Sequence, residues 1–355
     1  MTPGRVTPAS LEVTREQILA FRRRAGALDM RLPPGRTSLR VAAWAGLQDS
    51  MPRAALLSIH ARVAGTEAGV LDDPTLTQVW GPRFSTYAVA AEDAALFTLG
   101  RFPDDPAGRR RAESMAARLR EHLDGRRMTY GAAGHAIGVN PNMLRYGTTT
   151  GTIRIQWDGA RQPTVWTVPP PEISPMDARL ELARRYLHVF GPATAASFGT
   201  WAGIKAPRAE GAFEGLADSL GLADSLTPVA TPIGDAWILA SDEDAVRAAT
   251  GAGRADPGWA RLLPSGDTYF LLWGTDRELL VPDARLRSLL WTTRVWPGAV
   301  LVGGEIVGVW RRADADLTIE PWRRLSPTER EAVEAEAASL PLPALARAIR
   351  VRWPG

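Results

Sequence analysis

The stretch Met128–Val168, MTYGAAGHAIGVNPNMLRYGTTTGTIRIQWDGARQPTVWTV, holds two helix signals and a hairpin signal in direct succession. Thr129 to Ile137 carries small and apolar residues at helical spacing, and Gly138 followed by Asn140-Pro141 ends it with helix-terminating chemistry. Asn140 then caps a second helix with Pro141 in its first turn, and Gly147 is expected to close it. Ile153 to Trp157 alternates apolar and polar residues, Asp158-Gly159 makes a hairpin turn, and Thr164 to Val168 returns with β-branched and aromatic residues. Two short helices leading into a hairpin predict a winged helix, whose second helix enters the major groove with its N-terminal residues against the bases. Asn142 and Arg145 are the candidates for that contact, with Asn140 beside them at the cap and Arg154 and Arg161 on the hairpin facing phosphate. An ordinary helix pair beside a surface hairpin satisfies the same pattern.

Around this stretch, composition sets the limits. A chain of 355 residues with 45% hydrophobic and 23% charged residues has room for two or three domains, each with its own core. The absence of cysteine excludes disulfides, thiolate metal sites and a cysteine nucleophile, and four scattered His residues give no metal-ligand spacing, so neither metal nor cofactor is expected. The first ten residues, MTPGRVTPAS, lack a signal peptide's apolar core, and no apolar run of membrane-spanning length occurs; a cytoplasmic protein associated with the nucleoid is expected. Net charge is only +3, but residues 1–170 carry 22 Arg against 15 acidic residues, while 171–355 carry 20 Arg and Lys against 24. A basic half beside an acidic half points the first half at a polyanion, here double-stranded DNA. Lys205 is the single lysine, and GC-rich coding accounts for that bias as well as phosphate recognition does.

Toward the N-terminus, Thr14 and Gln17 form a capping-box pattern ahead of Ile18, Leu19 and Phe21, and the run Arg22-Arg23-Arg24 reads as a solvated helix end. A second helix is expected over Leu39 to Gly46 and a third from Pro52, followed by a strand-turn-strand at Val79 to Val89. Residues 103–127 read as loop then helix, with Met115, Leu119 and Leu123 on one face. Pro169-Pro170-Pro171 marks a linker. Beyond it, helices at Pro175 to Phe190, Ala193 to Ala202 and Ala206 to Ala217 lead to strands Thr227 to Ala230 and Trp237 to Ala240, the same order of elements again. The hexapeptide Gly-Leu-Ala-Asp-Ser-Leu at 215–220 recurs at 221–226 as a local duplication. After Arg261 the pattern turns to β, with strands expected at Thr268 to Trp273, Leu279 to Val281, Ala299 to Val302, Ile306 to Trp310 and Leu317 to Trp322, closed by helices at 326–338 and 344–349. The expected class is α+β, with winged helices at 1–102, 103–170 and 171–254 and a β-rich domain at 255–355.

The segments GLQDSMPRAALLSIHAR (46–62), Trp80 to Val89, ARRYLHVFGPATAASFGTWAGI (183–204), LLPSGDTYFLLWGTDRELLVPD (262–283) and WPGAVLVGGEIVGVW (296–310) together resemble the HTH_42 family, which contains bacterial DNA glycosylases of the AlkZ and YcaQ type. The resemblance implies three tandem winged helices around a concave, positively charged DNA cleft, and excision of N-alkylated purines or unhooking of interstrand crosslinks without metal or cofactor; three modules in one chain can surround a duplex as a monomer. It also implies a signature of Gln, an apolar residue, then Gln or Asp just before a Pro. Here the positions read Gln48, Asp49, Ser50 with Pro52 in register: the first glutamine is kept and the second polar position is changed. A cationic alkylated purine leaves readily, so the chemistry asks for a positioned water and a stabilised sugar cation. Gln48 suits the water, Asp49 is a candidate carboxylate one position off, and Asp49 and Ser50 equally suit capping of the helix after Pro52. Arg53, directly after the signature, and Arg83, in the strand-turn-strand, join the DNA-contact candidates. Two classes stay open: a DNA-repair glycosylase, and a non-catalytic winged-helix DNA-binding protein that kept the cleft and lost the chemistry.

Overall fold

The computed structural model describes residues 11–159, 161–218, 225–249, 259–343 and 347–354. Helix Pro106–Leu123 starts at Asp105, whose carboxylate accepts from Gly108 N–H, and buries Met115, Leu119 and Leu123. Helix Tyr130–Ala136 is capped by the Thr129 hydroxyl and followed by Gly138 at φ +66°. Asn140 then caps the next turn by accepting from Asn142 N–H, with Pro141 at the first position. The α-helix Leu144–Gly147 ends at Gly147 as expected, but Gly147 keeps helical angles (φ −68°), a 3-10 turn follows at Thr148–Thr150, and the chain leaves at Gly151, φ +78°. The hydroxyls of Thr148, Thr149 and Thr150 donate to the carbonyls of Arg145, Tyr146 and Gly147, which carries the turn one step further. Strands Ile153–Gln156 and Thr164–Thr167 pair antiparallel, Ile155 opposite Val165. Leu119, Leu144, Ile153, Ile155 and Val165 close a core that also takes in Trp80 from the preceding region.

One six-stranded sheet spans this region and the one before it, in the order Leu47–Gln48, Thr86–Ala90, Leu76–Trp80, Ile153–Gln156, Thr164–Thr167, Met128–Thr129. The joint is the pair Gln78 and Ile155, so the sheet runs across the boundary expected at 102. Upstream, Thr14 and Gln17 form the full capping box of helix Arg15–Ala25. The solvated reading of Arg22 and Arg23 is corrected: both are buried, Arg22 donating to the carbonyls of Gly191 and Pro192, Arg23 to Asp29 and the Gly304 carbonyl. The second helix is shorter than expected, Arg36–Ala42, and frees Leu47–Gln48 to pair as a strand before helix Ala54–Arg62.

Ser174 caps helix Pro175–Phe190, which packs with helices Ala195–Ala202 and Ala206–Ala217 around Tyr186, Phe190, Phe198 and Trp201. Strands Leu226–Thr231 and Gly234–Leu239 form the next hairpin, and the N-terminal strand Leu11–Glu12 adds to it in parallel, Leu11 opposite Val229. Beyond this, a five-stranded sheet runs Ala260–Leu263, Gly298–Val302, Glu305–Ala313, Asp316–Pro321, Arg350–Arg352 under helix Pro327–Ala338. Two expected strands are absent. Asp267 caps a helical turn at Thr268–Phe270, and Leu279–Leu280 end helix Asp276–Leu280, because these apolar runs are buried on all sides and carry no two-residue period. Of the helix expected at 344–349, residues 344–346 lie outside the described residues, and 347–349 lead into strand Arg350–Arg352. Most of the second hexapeptide copy also lies outside them. The fold is mixed α+β, and among the described residues no helix is long and apolar enough to cross a membrane.

Candidate active site

Gly46, at φ +72°, turns the chain against Phe97 and Tyr87, where a Cβ would stand 2.8 Å from the Phe97 ring. Strand Leu47–Gln48 then pairs with Ala88 and Tyr87, and Asp49 N–H donates to the Thr86 carbonyl at 2.7 Å. Extended backbone sends successive side chains to opposite sides. Gln48 and Ser50 share one side, where Gln48 Nε2 donates to Ser50 Oγ at 3.3 Å. Asp49 occupies the other.

On the first side, Gln48 Oε1 is buried and has no hydrogen-bond partner. It packs on Gly266, φ +77°, where a Cβ would stand 2.9 Å from it. The next residue, Asp267, fixes that turn to helix Ala54–Arg62: Arg62 donates to its two oxygens at 2.7 and 2.8 Å and Ser58 Oγ donates at 2.6 Å. Both partners of the ion pair are almost wholly buried, and Arg62 also reaches Thr268 Oγ1 at 2.9 Å. Sequence reading missed Gly266 and Asp267; the only signal was Gly-Asp within the segment LLPSGDTYF, some two hundred residues from Gln48.

On the second side, Asp49 is buried, and both carboxylate oxygens are engaged: Ala55 N–H donates to one at 3.0 Å, Gln78 Nε2 to the other at 2.6 Å. Burial pushes the carboxyl up to about 6, against the pull of those two hydrogen bonds. The bond to Ala55 is the capping function foreseen for Asp49, exercised from outside the helix; the residue at the cap position, Arg53, makes no side-chain cap and sits at φ +65°. Gln78 extends the network: its Oε1 accepts from Trp157 N–H at 2.6 Å and its Nε2 also donates to the Trp157 carbonyl at 3.1 Å. Asp49, Gln78, Arg53 and Trp157 line a cleft of about 440 Å³ between helix Ala54–Arg62 and hairpin 153–167.

The DNA-contact candidates divide by exposure. Arg83, Asn140, Asn142 and Arg161 are exposed, and Arg53 is half-buried in the cleft wall. The Arg83 guanidinium stands 4.5 Å from the Trp273 ring, and Asn140 spends its side-chain oxygen on the cap. Arg145 and Arg154 depart from the expectation. Arg145 is half-buried, its guanidinium 5.9 Å from the Trp80 ring. Arg154 donates to the carbonyls of Gly151 and Ile153 at 2.9 and 3.2 Å, and burial lowers it to about 10, so this side chain braces its own strand. Exposed Met143 and Tyr146 stand near Asn142 on the same turn.

Comparison with known proteins puts the chain in one class, the AlkZ-like DNA glycosylases. The profile of that family, DNA glycosylase AlkZ-like, matches residues 41–341, and the chain belongs to it. The interstrand DNA cross-link repair glycosylase of Streptomyces sahachiroi is 30% identical over 166 residues, covering 46% of this chain and 42% of that protein, so the aligned part spans less than half of the relative's length. The solved structure of Streptomyces sahachiroi DNA glycosylase AlkZ superposes with a TM-score of 0.76 over 97% of this chain and 100% of that chain, at 20% identity, and shares its fold.

Proposed function

We propose that this protein is a DNA-repair glycosylase that hydrolyses the N-glycosidic bond of N-alkylated purines or of interstrand crosslinks, with Gln48 as its water-positioning residue. The observation that carries the reading is the Gln48 amide: Nε2 is held by Ser50, which fixes the orientation of Oε1, and Oε1 is an acceptor without a partner. A buried unpaired acceptor costs roughly 1–3 kcal/mol, a cost that a hydrogen-bonded water would remove. When DNA engages the site, Oε1 takes the hydrogen bond of a water. That water adds to C1′ as the base departs with the electron pair of the C1′–N bond, which cancels the ring's positive charge, and the water's proton passes to solvent. The reaction so written calls for no metal or cofactor.

In this reading the chain is a member of the HTH_42 branch with Gln-Asp-Ser in place of the usual signature, a monomer acting on nucleoid DNA in the cytoplasm. Residues 1–102, 103–170 and 171–254 serve as winged helices around the duplex and 255–355 as the β-rich wall behind Gln48. Asn142, beside the exposed Met143 and Tyr146, meets the bases, while Arg83 and Arg161 meet phosphates. A second reading, a non-catalytic winged-helix DNA-binding protein, is favoured by Asp49, whose two oxygens are both spent on Ala55 and Gln78. The deciding experiment offers the protein duplexes carrying 7-methylguanine, 3-methyladenine or an alkyl interstrand crosslink and measures base release and strand separation. Release from any of them is expected; tight duplex binding with none released leaves the binding protein standing.

A further inference from the structure

We propose that Gln78 is a positioning residue for Gln48: it joins the Arg161 end of hairpin 153–167 to the strand that carries Gln48, so that seating DNA on the hairpin sets the aim of the Gln48 amide. The inference rests on the glycosylase reading for the reaction it serves, and on a chain of hydrogen bonds for the connection itself.

Among the described residues, the two halves of the six-stranded sheet are paired at Gln78 alone, which has Ala88 opposite it on one side and Ile155 on the other. The ladder does not extend to Trp157, and there the Gln78 side chain takes over as a peptide group would. Its Oε1 accepts from Trp157 N–H at 2.6 Å and its Nε2 donates to the Trp157 carbonyl at 3.1 Å. One backbone donor and one backbone acceptor fix which way the amide faces, and that leaves Nε2 turned to Asp49 Oδ2 at 2.6 Å. Asp49, the residue after Gln48, is thereby held at three points: its N–H on the Thr86 carbonyl, one oxygen by Ala55 N–H and the other by Gln78. Adjacent side chains of an extended strand point to opposite sides, so a rotation of the strand that moves Asp49 also swings Gln48. Gln48 itself has only Ser50, two residues on in the same segment, as a side-chain hydrogen-bond partner.

At the far end, Trp157 Nε1 donates to the Arg161 carbonyl at 2.7 Å, and Arg161 N–H donates to Asp158 at 2.9 Å. The exposed arginine offered to phosphate is thus tied to the same tryptophan that Gln78 grips. Gly159, φ +81°, adds a second touch: a Cβ there would stand 2.8 Å from Pro52, so the hairpin tip also rests on the segment just after Gln48. Arg161, Trp157, Gln78 and Asp49 form a continuous series from the hairpin tip to the neighbour of Gln48. Such a series carries a displacement only while every link is made, which is what substitution can test.

The test is single-turnover processing of whichever alkylated or crosslinked duplex the full chain acts on, at saturating protein, with duplex affinity measured in parallel. Gln78→Leu should slow the reaction about tenfold and leave Kd within about twofold of the wild type. Arg161→Ala should slow the saturated rate about threefold in the wild type and not at all in Gln78→Leu, the non-additivity of one network. A Gln78 that serves stability alone gives equal factors in both backgrounds; that result, or a Gln78→Leu rate close to the wild type, overturns the proposal and leaves the glycosylase reading intact. Exchanging the two groups, Asp49→Asn with Gln78→Glu, re-forms three of the four hydrogen bonds and loses the one to the Trp157 carbonyl. The double variant should be about threefold faster than either single one, and no recovery also overturns the proposal. This arm decides if thermal melts show Gln78→Leu to be unfolded. If no duplex is processed, the glycosylase reading fails, and hydrogen exchange of the peptide 153–159 judges the connection: about tenfold faster exchange in Gln78→Leu upholds it, and unchanged exchange overturns it.

Discussion

Gln48 and Asp49 are neighbours in the chain, yet the walls that cover them come from different regions and use different chemistry. Gln48 lies against the Gly266 turn of the C-terminal region, which a buried Arg62–Asp267 ion pair fixes to helix Ala54–Arg62. Asp49 lies against Gln78 and the hairpin from the central region, where a neutral amide bridges a buried carboxylate to the backbone of Trp157. A neutral side chain is covered by locked charges, and a charged side chain by neutral dipoles. The first wall therefore resists displacement, while the second responds to protonation.

The largest effect expected is on the first wall. Asp267→Asn leaves Arg62 buried with its charge uncompensated and should destabilise the fold by about 3–5 kcal/mol, read from urea unfolding. A loss below about 1 kcal/mol would mean that the Gly266 turn is held by packing instead. Next comes Gln48→Ala, expected to slow base excision by about 10²–10³-fold, the range for removal of one positioned polar group, with duplex affinity and melting temperature retained. Single-turnover kinetics measure it, and activity within threefold of the wild type would remove Gln48 from the mechanism.

The second wall should show itself through pH. Asp49 titrates near 6 in the folded protein, above the 3.8 of an unperturbed aspartate, so its contribution to stability is fully present below pH 4 and is lost as pH rises through 6. Relative to Asp49→Asn, the wild type should lose roughly 2–3 kcal/mol between pH 4 and pH 7. Unfolding free energies of both proteins at the two pH values give the difference directly, and a gap that stays constant with pH contradicts the buried titration. The smallest effect separates two arginines of one hairpin. Arg161→Ala should reduce the salt dependence of duplex binding by about one counterion, whereas Arg154→Ala, whose guanidinium is turned onto its own carbonyls, should leave the slope unchanged. Equal slopes for the two variants would erase the distinction.

What was legible in the sequence was local. Thr14 with Gln17, Asn140 with Pro141, and the turns at Gly138 and Gly159 announce their elements because caps and left-handed turns depend on a few adjacent residues. Gln48 was singled out in the sequence only through its resemblance to the family signature. Gln78, Gly266 and Asp267 were not, since each acquires its role from a partner on another element and looks ordinary in its own segment. Exposure was equally hidden: Arg154 and Arg161 flank one hairpin turn, and only packing separates a brace from an exposed cation. The strand pair Leu11 and Val229 left no local trace at all.

That last pairing sets an order on synthesis. The apolar face of helix Arg15–Ala25, with Ile18 and Phe21, is covered by Val229, Ile238 and Val246. This helix leaves the ribosome well before that cover, which is translated about two hundred residues later. At about 5–20 residues per second the interval is on the order of tens of seconds. During that time the Ile18 face of this helix lacks the hairpin that covers it, and the elements between the two can assemble first.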